Sequence, residues 1–134
     1  MKTEYFDLKN KRALVSGGAS GIGSSIVEHL CEQGVEVYFF DINKNEAKKT
    51  INKIKKKKFK TPSFVECNIK NIKKYKSSIL NIIKKQGPID ILVNNASNDQ
   101  RHSLEKITEK YWDDRMSINL KHYFFAIQSV YKDM

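Results

Sequence analysis

Ser16-Gly17-Gly18-Ala19-Ser20-Gly21-Ile22-Gly23 decides how this chain is read, because of what stands on either side of it. The run before it, Arg12-Ala13-Leu14-Val15-Ser16, is short and mostly apolar, which predicts a strand. The run after it, Ile22 to Gln33, puts Ile26, Val27 and Leu30 on one helical face and meets Gly34 as its stop. A glycine-rich turn from a strand into a helix aims unpaired backbone N–H groups, and the positive end of the helix dipole, at whatever lies above it. That suits a pyrophosphate. In this reading Gly17 permits the tight turn, Gly21 the approach of phosphates, and Gly23 close packing of helix on strand. The spacing is G-x-x-x-G-x-G rather than the G-x-G-x-x-G fingerprint, and a glycine turn alone can be purely structural.

Working outward, short apolar runs alternate with longer polar stretches of helical period, the pattern of a parallel sheet built from βαβ units. Val35 to Phe40 predicts a second strand, and Lys44 to Lys57 a basic amphipathic helix with Asn43 as its cap and Glu46 at capping-box spacing. Pro62 precedes a short third strand, Ser63 to Glu66. Ile69, Ile72, Ile79, Leu80 and Ile83 then recur at helical spacing until Gly87-Pro88. Ile89 to Val93 predicts a fourth strand, apolar enough to be buried on both faces. Thr108 is placed to cap one long final helix, Glu109 to Met134, whose apolar stripe would run Trp112, Met116, Leu120, Tyr123, Ile127, Val130. Right-handed crossovers then give an α/β, doubly wound parallel sheet of strand order 3-2-1-4, a single domain over 1–134. This sheet is incomplete: strand four would be an open edge and the final stripe would lack cover, so the isolated polypeptide is expected to aggregate or fold only partly.

Bulk properties narrow the classes. With 134 residues, 40% hydrophobic and 30% charged, the chain holds one ordinary globular core. No apolar run is long enough to cross a bilayer. The opening Met1-Lys2-Thr3-Glu4-Tyr5 has no signal-peptide core, so a cytoplasmic location is expected. Cys31 and Cys67 stand alone, which predicts reduced, half-buried thiols and no metal site. The net charge of +10 comes mostly from lysine, clustered as in Lys53 to Lys60, without the Arg and aromatic interleaving of a nucleic-acid surface.

Three further places carry chemistry. Asp41 ends strand two about twenty residues past the glycine turn, where a carboxylate can accept from the ribose hydroxyls of an adenosine and would repel a 2′-phosphate. Its structural alternative, capping the next helix, is better served by Asn43. Asn94-Asn95-Ala96-Ser97 leaves strand four at the carboxyl end of the sheet, where its amides either pin the loop or meet a ligand. Asn119 lies on the final apolar stripe, and buried there it needs a partner.

Together these residues resemble the short-chain dehydrogenase/reductase family. Residues 16–23 look like its T-G-x-x-x-G-I-G, with Ser16 for Thr, and Asn94 to Ser97 like its N-N-A-G, with Ser97 for Gly. Asn119 falls at the asparagine of the family's Asn-Ser-Tyr-Lys tetrad. The resemblance implies a Rossmann-like fold and NAD as cofactor, with NADP disfavoured by Asp41. It assigns Gly17, Ser20, Gly21, Ile22 and Gly23 to the dinucleotide phosphates and Asp41 to the ribose. Asn68, departing from the family's Asp, and Ile69 would lie beside the adenine. Asn94, Asn95 and Ala96 would border the cofactor, Asn95 against a ribose, and Asn119 would anchor a water of the proton relay. Intact members are usually homo-tetramers or dimers.

The stretches 98–102, 111–115 and 119–122 are similar to NAD-dependent aldose 1-dehydrogenases of the family and to members known as 3-oxoacyl carrier-protein reductases. Arg101 and His102 would then contact a polar substrate, unless they are plain loop-surface charges. The family's catalytic Ser and its Tyr-x-x-x-Lys have no counterpart here, since Tyr111 with Arg115 has the spacing but not the chemistry. The expectation is therefore the N-terminal part of an oxidoreductase acting on a sugar or other secondary alcohol or carbonyl, with little turnover by itself. The rival expectations are a non-catalytic dinucleotide-binding or subunit-interaction module, and nucleic-acid binding through the lysines.

Overall fold

The computed structural model describes residues 3–134. Four parallel strands, β1 (Arg12–Ser16), β2 (Glu36–Asp41), β3 (Ser63–Glu66) and β4 (Ile91–Val93), form one sheet in the order β3-β2-β1-β4. The helices are α1 (Gly21–Glu32), α2 (Lys44–Lys56), α3 (Ile72–Gln86), α4 (Glu109–Met116) and α5 (His122–Val130). The strand order and the βαβ alternation are those read from the sequence.

Side chains alternate across the strands, so each strand feeds two cores. Ala13, Val15, Val37 and Phe39 face α1 and α2, where they meet Val27, Cys31, Ala47 and Ile54. Leu14, Tyr38 and Phe40 face the other way, onto Tyr75, Ile79 and Ile82 of α3 and Ala126 and Val130 of α5. Registers such as Leu14↔Tyr38 and Leu14↔Leu92 keep the two sets in step. Both cysteines are free, and both are fully rather than half buried.

Helix starts follow the sequence closely. Asn43 accepts from the Asn45 and Glu46 amides, Asn71 from Lys74, and Thr108 from Tyr111. In the lysine cluster, Lys53 of α2 and Lys57 at its C-cap clasp the buried Glu28 of α1.

Two expectations fail at the carboxyl end. β4 is shorter than 89–93: it spans Ile91–Val93, and Asp90 before it is tied to β1 by its amide, which donates to the Arg12 carbonyl, and by its carboxylate, which accepts from the Arg12 amide and the Lys11 ammonium. Its Ile91, Leu92 and Val93 are half buried, since an edge strand has a neighbour on one side only. The final helix is also not continuous. A π-helical turn, Ser117–Lys121, separates α4 from α5, and the helix ends at Val130. The wider turn shifts the helical phase, so that His122, Ala126 and Val130 form the buried face. Trp112, Met116, Leu120 and Ile127, expected on an apolar stripe, lie exposed.

Candidate functional site

The carboxyl ends of β1, β2 and β4 open into a cleft of about 560 Å³. It gathers most of the residues singled out in the sequence: Gly17, Ser20, Ile22, Gly23, Asp41, Asn68, Ile69, Asn95 and Ala96. Lys70, Ser97, Asn98 and Ile118 complete the side toward the π-helical turn. Gly21 stands at the rim, exposed, and Asn94 lies behind the lining with its buried Oδ1 unpartnered.

The glycine loop is fastened from below. The Gly17 and Gly18 amides donate to the Phe40 carbonyl at 2.7 and 3.3 Å, tying the loop to β2. Ala19 is held at both ends, its N–H by Asp41 Oδ2 (3.0 Å) and its carbonyl by the Thr50 hydroxyl (2.8 Å). Gly17 turns with φ +69°, as the tight turn requires. Gly23, in α1, lies close against Gly17, the residue that directly follows β1. A Cβ there would stand 1.9 Å from the Gly17 carbonyl oxygen and 2.6 Å from Asn95 Nδ2, so its bareness lets the loop close on itself.

The start of α1 contrasts with the other loop-to-helix junctions. Asn43, Asn71 and Thr108 each bond a first-turn amide, whereas Ser20 makes no side-chain cap bond. The first-turn N–H groups and the dipole of α1 are thus presented outward at the cleft. A Cβ on Gly21 would meet nothing within 4 Å, so the space above it is open.

Asp41 does more than the ribose reading supposed. Besides the Ala19 amide it accepts from Ile42 N (2.8 Å) and Asn43 N (3.0 Å), so its carboxylate straps the glycine loop to the start of α2. A carboxylate offers about four acceptor directions, which leaves room for one further donor from the cleft. Asn68 Oδ1 accepts from the Lys70 amide, and Ile69 is buried against the sheet.

Side chains from β1, the loop itself and the π-helical turn hold the loop after β4. The Ser16 hydroxyl accepts from the Asn95 and Ala96 amides at 3.0 and 3.1 Å. Asn95 Nδ2 in turn donates to the Ser16 and Gly17 carbonyls at 3.0 and 3.1 Å, so of the two roles open to it the loop-pinning one is realised. Asn119 pairs with the backbone of Asn98 through both ends of its amide, accepting from N–H at 2.7 Å and donating to the carbonyl at 3.0 Å. It is a satisfied amide outside the cleft lining. It acts at the cleft through Asn98, and it sits inside the π-helical turn that the pairing accompanies.

Arg101 and His102 are not brought to the cleft. Both are exposed, and the His102 ring stacks on Tyr111 with centroids 4.2 Å apart, while Arg115 lies 5.2 Å from the same ring. The residue that sequence reasoning missed is His122. It is fully buried, its Nε2 lies 3.1 Å from the Ala96 carbonyl oxygen, and burial pushes its pKa below the ordinary histidine value. The only signal was a polar residue three positions past Asn119, masked by the assumption of an unbroken helical phase.

A parallel α/β sheet with a glycine loop at the carboxyl end of β1 and an acidic residue at the end of β2 defines a dinucleotide-binding class of fold. The family model for short chain dehydrogenases matches residues 11–134, and the chain belongs to that family. It is 35% identical over 128 residues to the "probable galactose dehydrogenase" GalD of Rhizobium meliloti, covering 96% of this chain and 50% of that protein. It is 36% identical over 126 residues to the D-xylose 1-dehydrogenase of Caulobacter vibrioides (94% and 49%). With the 3-oxoacyl-[acyl-carrier-protein] reductase FabG of Staphylococcus epidermidis it shares 34% over 126 residues (93% and 51%). Among solved structures, the citronellol catabolism dehydrogenase AtuB of Pseudomonas aeruginosa superposes with a TM-score of 0.84 at 27% identity, over 93% of this chain and 51% of that one. A metagenomic short-chain oxidoreductase in complex with NADP gives 0.88 at 21% identity, over 95% and 57%, a likeness of fold. The chain spans about half the length of the relatives it matches. Among the described residues no helix is long and apolar enough to cross a membrane.

Proposed function

We propose that the cleft binds a nicotinamide dinucleotide, NAD in preference to NADP, as the cofactor site of an oxidoreductase acting on a sugar or related secondary alcohol or carbonyl. The observation that carries this is the start of α1, whose amides go uncapped beneath open space at Gly21. That arrangement fits a pyrophosphate, held by the backbone from Gly17 to Gly23 with Ser20 and Ile22 beside it. Asp41, with one acceptor direction left, takes a ribose hydroxyl, and its negative charge disfavours a 2′-phosphate. Asn68 and Ile69 flank the adenine on the β3 side. Asn95, Ala96 and Asn98 border the other end of the cleft, with Asn119 fixing Asn98 from behind. Once bound, the dinucleotide supplies the hydride acceptor or donor.

The aldose reading draws on the two sugar-dehydrogenase relatives, and the FabG relative keeps a 3-oxoacyl substrate as the alternative. Arg101 and His102, stacked away from the cleft, lend no support to direct substrate contact. These 134 residues bring Asn119 but no Tyr-x-x-x-Lys beyond it, the one at Tyr5 to Lys9 lying ahead of β1, so this polypeptide is expected to bind dinucleotide without turning it over. Titration with NADH and NADPH, followed by cofactor fluorescence, tests the reading. NADH should bind more tightly. No binding of either would reject the site, and tighter NADPH binding would reject the role of Asp41. NAD reduction by this polypeptide over a panel of aldoses would reject the claim of no turnover.

A further inference from the structure

The cleft depends on a loop with no regular structure. β4 ends at Val93, and residues 94–98 are placed only by what grips them. Ser16 grips the amide side of Asn95 and Ala96, and Asn119 grips Asn98. Between them the Ala96 carbonyl is met by His122 Nε2 at 3.1 Å, with the Tyr123 hydroxyl at 3.5 Å. A carbonyl only accepts, so the contact is a hydrogen bond in the tautomer that carries the proton on Nε2, and Nδ1 is then buried without a partner. The ring is fully buried, edge-on to Tyr75 and Tyr123 at 6.0 and 4.4 Å, so packing fixes where its nitrogen stands. Ala96 also touches the glycine loop: a Cβ on Gly17 would lie 2.8 Å from Ala96 Cα. A shift of Ala96 is therefore felt on the phosphate side of the cleft as well.

We propose that His122 is a positioning residue of the cleft, fixing the Ala96 carbonyl so that the 95–98 loop stands at the separation from the glycine loop that a dinucleotide needs. This rests on the dinucleotide reading of the cleft. A residue needed only to fill space would be replaceable by a ring of similar size, whereas a positioning donor is replaceable by a donor. His122→Phe keeps the bulk and removes the N–H, and His122→Gln returns an N–H near the position of Nε2.

The experiment measures NADH affinity and amide hydrogen exchange of residues 94–98 in the wild-type chain and in both variants. His122→Phe is expected to weaken NADH on the order of tenfold, the worth of about one buried hydrogen bond, and to speed exchange in the loop. His122→Gln should restore both to within about threefold of wild type. In the imidazole ¹⁵N spectrum of the wild type, His122 should be the neutral tautomer protonated at Nε2. The proposal is overturned if His122→Phe, still folded, binds NADH and protects the loop as wild type does. It is overturned equally if a folded His122→Gln behaves like the Phe variant, or if the proton resides on Nδ1. If the wild type binds neither NADH nor NADPH, the dinucleotide reading fails. The exchange pattern and tautomer then still decide whether His122 holds the loop.

Discussion

Replacing Gly23 by Ala would put a methyl carbon 1.9 Å from the Gly17 carbonyl oxygen, far inside ordinary contact. The obstacle is backbone, and the next atom, Asn95 Nδ2 at 2.6 Å, is itself bonded to the Ser16 and Gly17 carbonyls. Relief requires the Gly17 carbonyl to swing away, which breaks its bond to Asn95. Overpacking of this kind costs about 1–3 kcal/mol, and the lost hydrogen bond adds about 1 kcal/mol. Gly23→Ala should therefore destabilise the chain by about 3 kcal/mol. Gly21→Ala makes the control, two residues away. Its φ of +54° strains an alanine by about 1–2 kcal/mol, but the new methyl meets nothing within 4 Å. That methyl enters the open space above the start of α1, so dinucleotide affinity should fall by more than tenfold while most of the stability remains. Urea unfolding followed by far-ultraviolet circular dichroism at low protein concentration gives the first quantity, and NADH titration the second. The reasoning is refuted if Gly23→Ala unfolds within about 0.5 kcal/mol of wild type. It is refuted too if Gly21→Ala binds NADH unimpaired.

Ser16→Ala removes the acceptor of two half-buried amides and should cost about 2 kcal/mol in the same urea assay, whereas Ser16→Thr keeps the hydroxyl and should cost less. Hydrogen bonds from Lys53 and Lys57 hold the Glu28 carboxyl below the usual glutamate value. The unfolded chain thus takes up the proton first on acidification. The stability this contributes is complete above the unfolded value of about 4.3 and is lost as pH falls through the lower folded value. Glu28→Gln should flatten that acid limb of a stability–pH curve, at a cost of about 1 kcal/mol near neutrality because both lysines can rehydrate. The exposed Trp112 and Ile127 should promote aggregation of the polypeptide. Changing both to Lys should raise the concentration at which it scatters light and leave its urea midpoint nearly unchanged.

Much of this fold is legible in the chain because the interactions that set it are local or periodic. Gly17 and Gly34 sit at φ values that few other residues adopt, Asn43 and Thr108 cap from fixed offsets, and alternation along β1 and β2 marks both faces of the sheet. The same locality places the glycine loop, Asp41 and Asn95 at one end of the sheet, since strand ends in a parallel order converge there. What failed in the sequence reading failed where distant partners intervene. Asn119 binds Asn98, a π-helical turn accompanies that pairing, and the helical phase beyond it no longer follows from counting.

The glycine turn thus determined by itself the strand, the helix, and a loop with amides to offer, because its backbone angles are a property of those residues alone. Only the tertiary structure decided that Gly23 is bare for the sake of the Gly17 carbonyl, that Asp41 straps the loop, and that Asn95 pins it. It also decided that His122, not the expected apolar stripe, reaches the Ala96 carbonyl. Apart from the Gly17–Gly23 approach, which is local to the glycine turn, these are contacts across many residues of chain, set by how the elements pack, and no spacing along the sequence encodes them.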